Sequence, residues 1–295
     1  MFDNIFNVKK ELIVVADLFA QQYVGGAELT LASILDTIGD KRNIKLLNSH
    51  MFNSHVAEIN KDKEFLFGNF SNIHNDELTK ISEILQNYSV MECDYKFCKY
   101  RSIELHKKET DKDCNCHQTS YGQNVFNFLS NAKNIFWMSQ KQKDRQVNLC
   151  PDILKANNVV LCSYFNKNTL SYISNLRNAN RDKKSNKYIV LKSQSWIKGY
   201  EDARDYCISN NLEYEEVWGI PYEELLIKLS KSLGLVYLPR GGDTCPRLVI
   251  EAKMLDCDLV LNDDVQHKDE EWFESFESIL DKWYWQNNII NSLYN

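Results

Sequence analysis

The sequence predicts an α/β fold made of two doubly wound parallel sheets that face each other across a cleft. Short apolar runs of strand length alternate with amphipathic runs of helix length along nearly the whole chain. Such alternation favours parallel sheets with helices on both faces. The pattern restarts near residues 150–165, and 295 residues are enough for two domains of ordinary size.

The first half is predicted to form an N-terminal Rossmann-like domain, residues 1–160. Strand-like runs occur at 11–19, 44–47, 64–70, 88–93 and 134–138. Apolar residues recur at helical spacing in 27–38 and 76–86, and a polar helix begins at Ser139. Ligands of such sheets bind beyond the carboxyl ends of the strands, so this domain offers one wall of the cleft.

The second half is predicted to form a second Rossmann-like domain, residues 161–270. Its strand-like runs lie at 159–164, 187–192, 213–218, 235–238 and 259–261. Its helices are expected at 168–177, 199–210 and 221–232, the last with Pro221 in its first turn. Residues 271–295 are rich in Trp, Phe and Ile, and we expect helices that pack back toward the N-terminal domain.

The composition is that of an ordinary water-soluble protein, with 43% hydrophobic and 26% charged residues. No apolar run approaches the roughly 20 residues that span a membrane, and the N-terminus lacks the order of a secretion signal. A cytoplasmic protein is therefore expected. The net charge of −6 weighs against binding nucleic acid by phosphate neutralisation alone, although a local basic groove is still compatible with it. The odd count of nine cysteines favours reduced thiols over a disulfide framework.

The most informative segment is 241–253, GGDTCPRLVIEAK, which lies between two strand-like runs. A strand, a glycine turn and a helix start form an anion site, because free N–H groups and the helix dipole point into the crevice. The segment carries two carboxylates, Asp243 and Glu251; Asp243 as a cap of the following helix is the structural alternative. A second glycine pair, Gly25-Gly26, follows the first strand, but the full dinucleotide fingerprint is missing, which disfavours a nicotinamide enzyme.

Four segments together resemble retaining glycosyltransferases of the GT-B fold, family 4 type. GGAELTLASIL at 25–35 resembles their glycine loop and first helix, and SWIKGYEDA at 195–203 resembles their Lys-Gly element. The spacing from Asp243 to Glu251 resembles their E-x7-E motif with Asp in the first place, and Met138-Ser139 resembles the end of their last N-terminal strand. A narrower resemblance is to small cysteine-containing glycosyltransferases of phages and marine microbes.

This resemblance implies a nucleotide-diphosphate sugar as donor. Glu251 would bind the ribose hydroxyls, Asp243 would contact the transferred sugar, and Lys198 would bind the diphosphate. The implied donor-binding set is Gly25, Gly26, Lys198, Gly241, Gly242, Asp243, Thr244, Cys245, Arg247 and Glu251. Asp243 and Lys198 are the implied catalytic residues, and retention would proceed without a protein nucleophile. Asp94 is a further catalytic candidate because of its place after the fourth strand.

The chain departs from the family pattern in one respect: Ser193 stands where the family usually carries an Arg, five positions before Lys198. Arg240 or Arg247 is the candidate replacement. On the acceptor side, Asp94 and Lys96 follow the fourth strand and are candidates to touch the acceptor. Surface charges on a loop are the alternative interpretation.

The segment 93–117 contains an unusual set of possible metal ligands, Cys93, Cys98, His106, Cys114, Cys116 and His117. Tetrahedral zinc takes four Cys or His ligands and stabilises loops that lack a core of their own. The preferred four are Cys98, His106, Cys114 and Cys116, although C-x-C replaces the usual C-x2-C. Unpaired thiols on a polar loop and an iron–sulfur cluster are the alternatives.

The resulting hypothesis is a glycosyltransferase that moves a sugar from a nucleotide-diphosphate sugar to a glycan, lipid or small molecule. A modified base in phage DNA is the alternative acceptor, which a basic face formed by Lys96, Lys99, Arg101, Lys107 and Lys108 would favour. The second class is a protein that binds a nucleotide sugar without turnover, or a metal-stabilised interaction protein. A sugar epimerase would need a His or carboxylate pair in the cleft, and the scattered His50, His55 and His74 do not supply it.

Overall fold

The computed structural model describes residues 10–294, which form two parallel sheets flanked by helices. The strands of the first sheet are β1 (Glu11–Ala16), β2 (Asn43–Asn48), β3 (Glu64–Phe67), β4 (Tyr88–Glu92), β5 (Asn134–Trp137) and β6 (Asn157–Val160). Those of the second are β7 (Tyr188–Leu191), β8 (Tyr214–Val217), β9 (Gly234–Tyr237) and β10 (Asp258–Leu261). The strand orders are β2-β1-β3-β4-β5-β6 and β10-β9-β7-β8, which confirms the predicted pair of parallel sheets.

Helices connect the strands in both halves. In the first half they are α1 (Gly26–Ile38), α2 (Ser54–Ile59), α3 (Asn75–Ile84), α4 (Ile103–Thr110), α5 (Ser120–Ser130) and α6 (Gln140–Leu149). In the second half they are α7 (Lys167–Asn180), α8 (Tyr200–Ser209), α9 (Tyr222–Lys231), α10 (Arg247–Met254) and α11 (Phe276–Tyr294). Within residues 10–294, no helix combines the length and apolar character needed to cross a membrane.

The strand expected at 159–164 is partly wrong, because β6 ends at Val160. Cys162 adopts a left-handed conformation with φ 68°, which turns the chain out of the sheet. The apolar run continues because Leu161, Tyr164 and Phe165 are buried where the chain crosses to the second sheet. The apolar run therefore correctly indicated buried residues, but it is longer than the strand itself.

The core is continuous across the junction of the two sheets. One apolar cluster joins Leu12 and Val14 of β1 to Leu235 of β9 and Val249 of α10. Helix α11 packs against α1, and Trp283 of α11 donates its indole N–H to Phe165 O at 2.7 Å. The predicted domain ranges also include residues 1–9 and 295, which lie outside the described residues.

The segment 93–117 differs from the expected polar loop. Tyr95, Phe97 and Cys98 are fully buried in the cluster that covers the other face of the first sheet. Residues 103–110 form helix α4, which Ser102 caps by accepting from Leu105 N at 3.1 Å. The segment is therefore not a polar loop, since aromatic side chains at its start fix it to the domain. We call residues 93–117 the insert.

Candidate functional site

The glycine turn between β9 and α10 is held in place by its backbone. Asp243 forms a parallel bridge with Val265, with Asp243 N donating to Asp264 O at 2.8 Å and Gln266 N to Asp243 O at 3.0 Å. Helix α10 begins at Arg247, and its N-cap is Pro246, so Asp243 does not cap the helix. The Asp243 side chain is therefore available for other contacts. Because residues 241–245 belong to the predicted donor-binding set, we call residues 241–246 the donor turn.

Lys198 meets Asp243 at this turn. Its Nζ lies 2.6 Å from Asp243 Oδ2, and the hydroxyl of Tyr237 donates to the same carboxylate. Gly199 makes this approach possible, because its φ is +63° and a Cβ there would overlap the carbonyl of Leu238. The Lys198 side chain is 36% exposed, so the turn presents an accessible cation.

Glu251 lies deeper than an exposed helix carboxylate. Its side chain is 2% exposed and accepts from Arg247 Nε at 2.9 Å and from the Tyr222 hydroxyl at 2.6 Å. Burial raises the pKa of Glu251, and the nearby Arg247 charge counteracts this only in part. Any ribose hydroxyl that reached Glu251 would share it with these two donors.

The N-terminal glycine pair faces the same helix. A Cβ on Gly26 would lie 3.6 Å from Arg247 Cβ, so the start of α1 approaches the first turn of α10. Arg247 also donates to Tyr164 O at 2.6 Å and lies 3.9 Å from the ring of Phe165. The predicted residue Gly26 thus stands opposite Arg247, across the junction of the two halves, whereas Gly25 packs on Tyr23 and Glu28.

Neither arginine is free to replace the missing family Arg. Arg240 Nη2 lies 2.8 Å from Asp202 Oδ1, and its Nη1 lies 2.9 Å from Glu201 Oε2. Arg247 is committed to Glu251. Ser193 instead accepts from Ser195 N at 3.1 Å, which stabilises the turn leading to Lys198.

Thr244 and Cys245 attach the donor turn to two other segments of the chain. Thr244 Oγ1 donates to Cys93 O at 2.6 Å. Ser163 Oγ donates to Cys245 O at 2.9 Å, and Ser163 N lies 3.4 Å from the buried Cys245 sulfur. Thr244 therefore joins the two halves, and Cys245 fixes the turn to the segment that crosses between the sheets. The sequence indicated neither role.

The insert reaches the donor turn through Glu104, which sequence reasoning missed. Glu104 Oε2 accepts from Gly242 N at 3.3 Å, and Oε1 accepts from Arg145 Nη1 of α6 at 2.9 Å. Burial raises the pKa of Glu104, but its own backbone amide, Arg145 and Gly242 outweigh this and lower it overall. A signal was present, because Ser102 followed by an acid in the first turn is a helix-start pattern.

Asp94 lies in a network of charges. Its carboxylate is 3.2 Å from Lys96 Nζ and accepts from Arg101 Nε at 2.7 Å. Burial would raise the pKa of Asp94, but Lys96 and Arg101 together lower it. Lys96 is only 2% exposed and also lies 3.2 Å from Glu92 Oε2, so neither Asp94 nor Lys96 is a loose surface charge. An ionised Asp94 paired with two cations is a poor base.

The structure brings together the four preferred cysteine and histidine residues of the insert. The ligand atoms of Cys98, His106, Cys114 and Cys116 all lie within 4.8 Å of one another. His106 Nδ1 is 3.7 Å from Cys98 Sγ and 3.3 Å from Cys116 Sγ. Cys93 stands apart, with its sulfur 3.8 Å from Met91 O.

Solved structures share this architecture. HepE of Anabaena, in complex with UDP and glucose, superposes with a TM-score of 0.55 at 11% identity, covering 96% of this chain and 97% of HepE. An alpha-glucosyltransferase in complex with UDP and a 13-mer DNA containing a HMU base matches with a TM-score of 0.50 at 10% identity, covering 97% of this chain and 90% of that one. The chain has the GT-B fold.

A third structure with this fold is the N-terminal domain of trehalose-6-phosphate phosphatase from Candida albicans. It matches with a TM-score of 0.51 at 10% identity, over 96% of this chain and 99% of that one. No family model matches the sequence, and no curated protein sequence does either. Near 10% identity, these likenesses establish the fold and leave function to the geometry of the site.

Proposed function

We propose that this protein is a retaining glycosyltransferase that uses a nucleotide-diphosphate sugar. The observation that carries the proposal is the accessible Lys198 ammonium, held 2.6 Å from Asp243 at a glycine turn between two parallel-sheet halves. A cation and backbone N–H groups at such a turn suit a diphosphate. HepE and the alpha-glucosyltransferase were solved with UDP, so UDP-glucose is the first donor to test.

The residues of the site support a reaction without a protein nucleophile. The bond between the sugar C1 and the diphosphate oxygen breaks, an acceptor oxygen bonds to C1, and the acceptor proton passes to the departing diphosphate. Lys198 would offset the charge that develops on this leaving group. Asp243 and Asp94 are each bound by cations, which makes both carboxylates weak nucleophiles and favours retention by this route. The family 4 type relationship is part of the same proposal.

The charge of the insert favours an acceptor without phosphate groups. Lys96 is buried, Arg101 pairs with Asp94, and Lys107 pairs with Asp113 at 2.9 Å. Lys108 pairs with Glu109. The expected basic face is thus largely neutralised, and a glycan, lipid or small-molecule hydroxyl is the preferred acceptor.

DNA with a modified base is the second candidate acceptor. It is favoured by the likeness in fold to the alpha-glucosyltransferase that was solved with DNA. Transfer to hydroxymethylated DNA that falls steeply with added salt would support it, because phosphate contacts release counterions. Transfer to saccharides that is insensitive to salt would exclude it.

A donor screen tests the function. Full-length protein is incubated with a panel of nucleotide-diphosphate sugars, and the release of nucleotide diphosphate is measured. At least one donor is expected to turn over, and Lys198→Met is expected to lower kcat by about 10²–10³-fold. Lys228→Met is the matched control, since Lys228 has similar exposure and lies 2.7 Å from Glu215 on the neighbouring strand β8.

The screen also separates the enzyme from a binding protein. Protein that binds a nucleotide sugar but releases no diphosphate with any acceptor would support the non-catalytic alternative. Equal turnover by Lys198→Met and Lys228→Met would overturn the assignment of the site.

A further inference from the structure

We propose that Cys98, His106, Cys114 and Cys116 bind one Zn²⁺ ion, which holds the insert against the donor turn. The metal site stands independently of the enzymatic activity. Its influence on donor binding rests on the proposed function.

The distances within the cluster match a tetrahedral ion. Zinc bonds of about 2.3 Å to sulfur and about 2.0–2.1 Å to nitrogen place two tetrahedral ligand atoms about 3.6–3.8 Å apart. His106 Nδ1 lies 3.7 Å from Cys98 Sγ and 3.3 Å from Cys116 Sγ. All four ligand atoms lie within 4.8 Å of one another, so a small inward movement of the widest pair completes the site.

The three cysteine ligands and one histidine ligand favour zinc over other metals. Three thiolates and one imidazole are soft ligands that magnesium and calcium do not prefer. An iron–sulfur cluster ordinarily takes four thiolates, and this group has three.

The cluster is built into the domain rather than placed on its surface. Cys98, Cys116 and His106 are 0%, 6% and 8% exposed, and Cys114 is half-buried. Gly122 of α5 packs directly on the Cys116 turn, because a Cβ at Gly122 would overlap the carbonyl of Cys116. Thr119 Oγ1 donates to the same carbonyl at 2.7 Å, so the turn is fixed before any ion binds.

Helix α4 links the cluster to the donor turn. His106 contributes its Nδ1 to the cluster, and Glu104, two residues earlier, accepts from Gly242 N. The other contact of Glu104 is Arg145, which belongs to α6. With His106, in the middle of α4, bound by the ion, the position of Glu104 is set. Without the ion, this eight-residue helix loses the link through the metal from His106 to Cys98, Cys114 and Cys116.

Binding is balanced by proton release: one Zn²⁺ replaces the protons of up to three thiols, and the imidazole binds in its neutral form. The experiment uses full-length protein expressed with zinc in the medium and purified without chelator. Elemental analysis is expected to find about one zinc per chain. Cobalt substitution is expected to give the visible absorption of a tetrahedral thiolate site.

Cys114→Ser is the preferred variant, because Cys114 is the least buried of the four, and Cys150→Ser is the control for loss of a half-buried thiol outside the cluster. Cys114→Ser should lower zinc affinity at least about tenfold, and Cys150→Ser should not. Wild-type protein without zinc, or Cys114→Ser with wild-type affinity, would overturn the site. If Cys114→Ser fails to fold, the zinc content of the wild-type protein still shows whether the site binds zinc.

The effect of the zinc site on the donor turn is measured separately. Removal of zinc by chelation is expected to speed hydrogen exchange at the amides of 98–116 and at Gly242, and to raise the KM for the donor more than it lowers kcat. Unchanged exchange at Gly242 after zinc loss would overturn the coupling. Protein that holds zinc but turns over no donor would contradict the proposed function and leave the metal site intact.

Discussion

The donor turn and the insert meet at Gly242, yet they are held in place by different means. The turn is fixed by its backbone, through the Asp243–Val265 bridge and the close packing of Gly199 on Leu238. The insert lies outside the sheet, and side chains make its contacts with the turn: Glu104 accepts from Gly242 N, and Thr244 donates to Cys93 O. A backbone-fixed site tolerates changes in distant side chains, whereas a site held by side chains depends on each of them.

The largest effect on stability is expected from the Arg247–Glu251 pair, which follows the donor turn in the chain. Glu251→Ala leaves the buried Arg247 without its carboxylate and should lower the free energy of unfolding by about 3–5 kcal/mol. Glu104 of the insert is also hydrogen-bonded, but its side chain is 26% exposed. Glu104→Ala should therefore lower the free energy of unfolding by only about 1–2 kcal/mol. Urea unfolding of the two variants measures the difference.

The control for the first comparison is Glu224→Ala, an exposed glutamate 3.8 Å from Lys228, which should change stability by less than about 0.5 kcal/mol. Equal losses for Glu251→Ala and Glu104→Ala would contradict the described difference in burial. Because Glu251→Ala weakens the fold, Glu251→Gln is the better variant for testing a ribose contact by donor affinity.

The next effect concerns the backbone of the turn. Gly199 and Gly219 both have positive φ, but a Cβ at Gly199 would overlap the Leu238 carbonyl, whereas nothing lies within 4 Å of a Cβ at Gly219. Gly219→Ala should cost about 1 kcal/mol for its conformation alone. Gly199→Ala should cost about 1–3 kcal/mol more, because the overlap adds to it. Equal unfolding free energies for the two variants would show that the close packing contributes nothing.

The smallest effect is expected at Glu77, which lies away from both regions and serves as a reference. Hydrogen bonds from Lys80 and from Ser54 N lower the pKa of Glu77 to about 2. Its stabilising contribution is therefore present above pH 4.5 and is lost as the pH falls toward about 2. Glu77→Gln should be less stable than wild type at pH 6, and the difference should shrink below pH 4.5. A difference that is constant with pH, or one that the exposed Glu83→Gln reproduces, would contradict this assignment.

Much of the fold could be predicted from the sequence, because parallel strands buried on both faces leave continuous apolar runs such as Leu12–Val15. The place of Lys198 beside Asp243 could also be expected from resemblance, because both residues lie in segments that resemble family motifs. The burial of Glu251 could not be predicted, because it depends on Tyr222 and Arg247, which lie on two different helices.

The insert was harder to predict, for physical reasons. Its four clustered residues were recognisable by type and spacing, but its aromatic anchors Tyr95 and Phe97 act through long-range contacts that periodicity does not report. The contact of Glu104 with Gly242 joins residues 138 positions apart. Interactions of that kind follow from tertiary packing and have no local pattern in the sequence.

The central claim is that the donor turn binds a nucleotide-diphosphate sugar through Lys198. Calorimetric titration of UDP-glucose and UDP into wild-type protein, Lys198→Met and Lys228→Met tests it most directly. The account predicts saturable binding to wild type and Lys228→Met, and binding at least about tenfold weaker to Lys198→Met, since charge-assisted contacts to phosphate contribute about 1.5–3 kcal/mol. Equal affinity in all three proteins, or no binding of any nucleotide-diphosphate sugar by wild type, would contradict it.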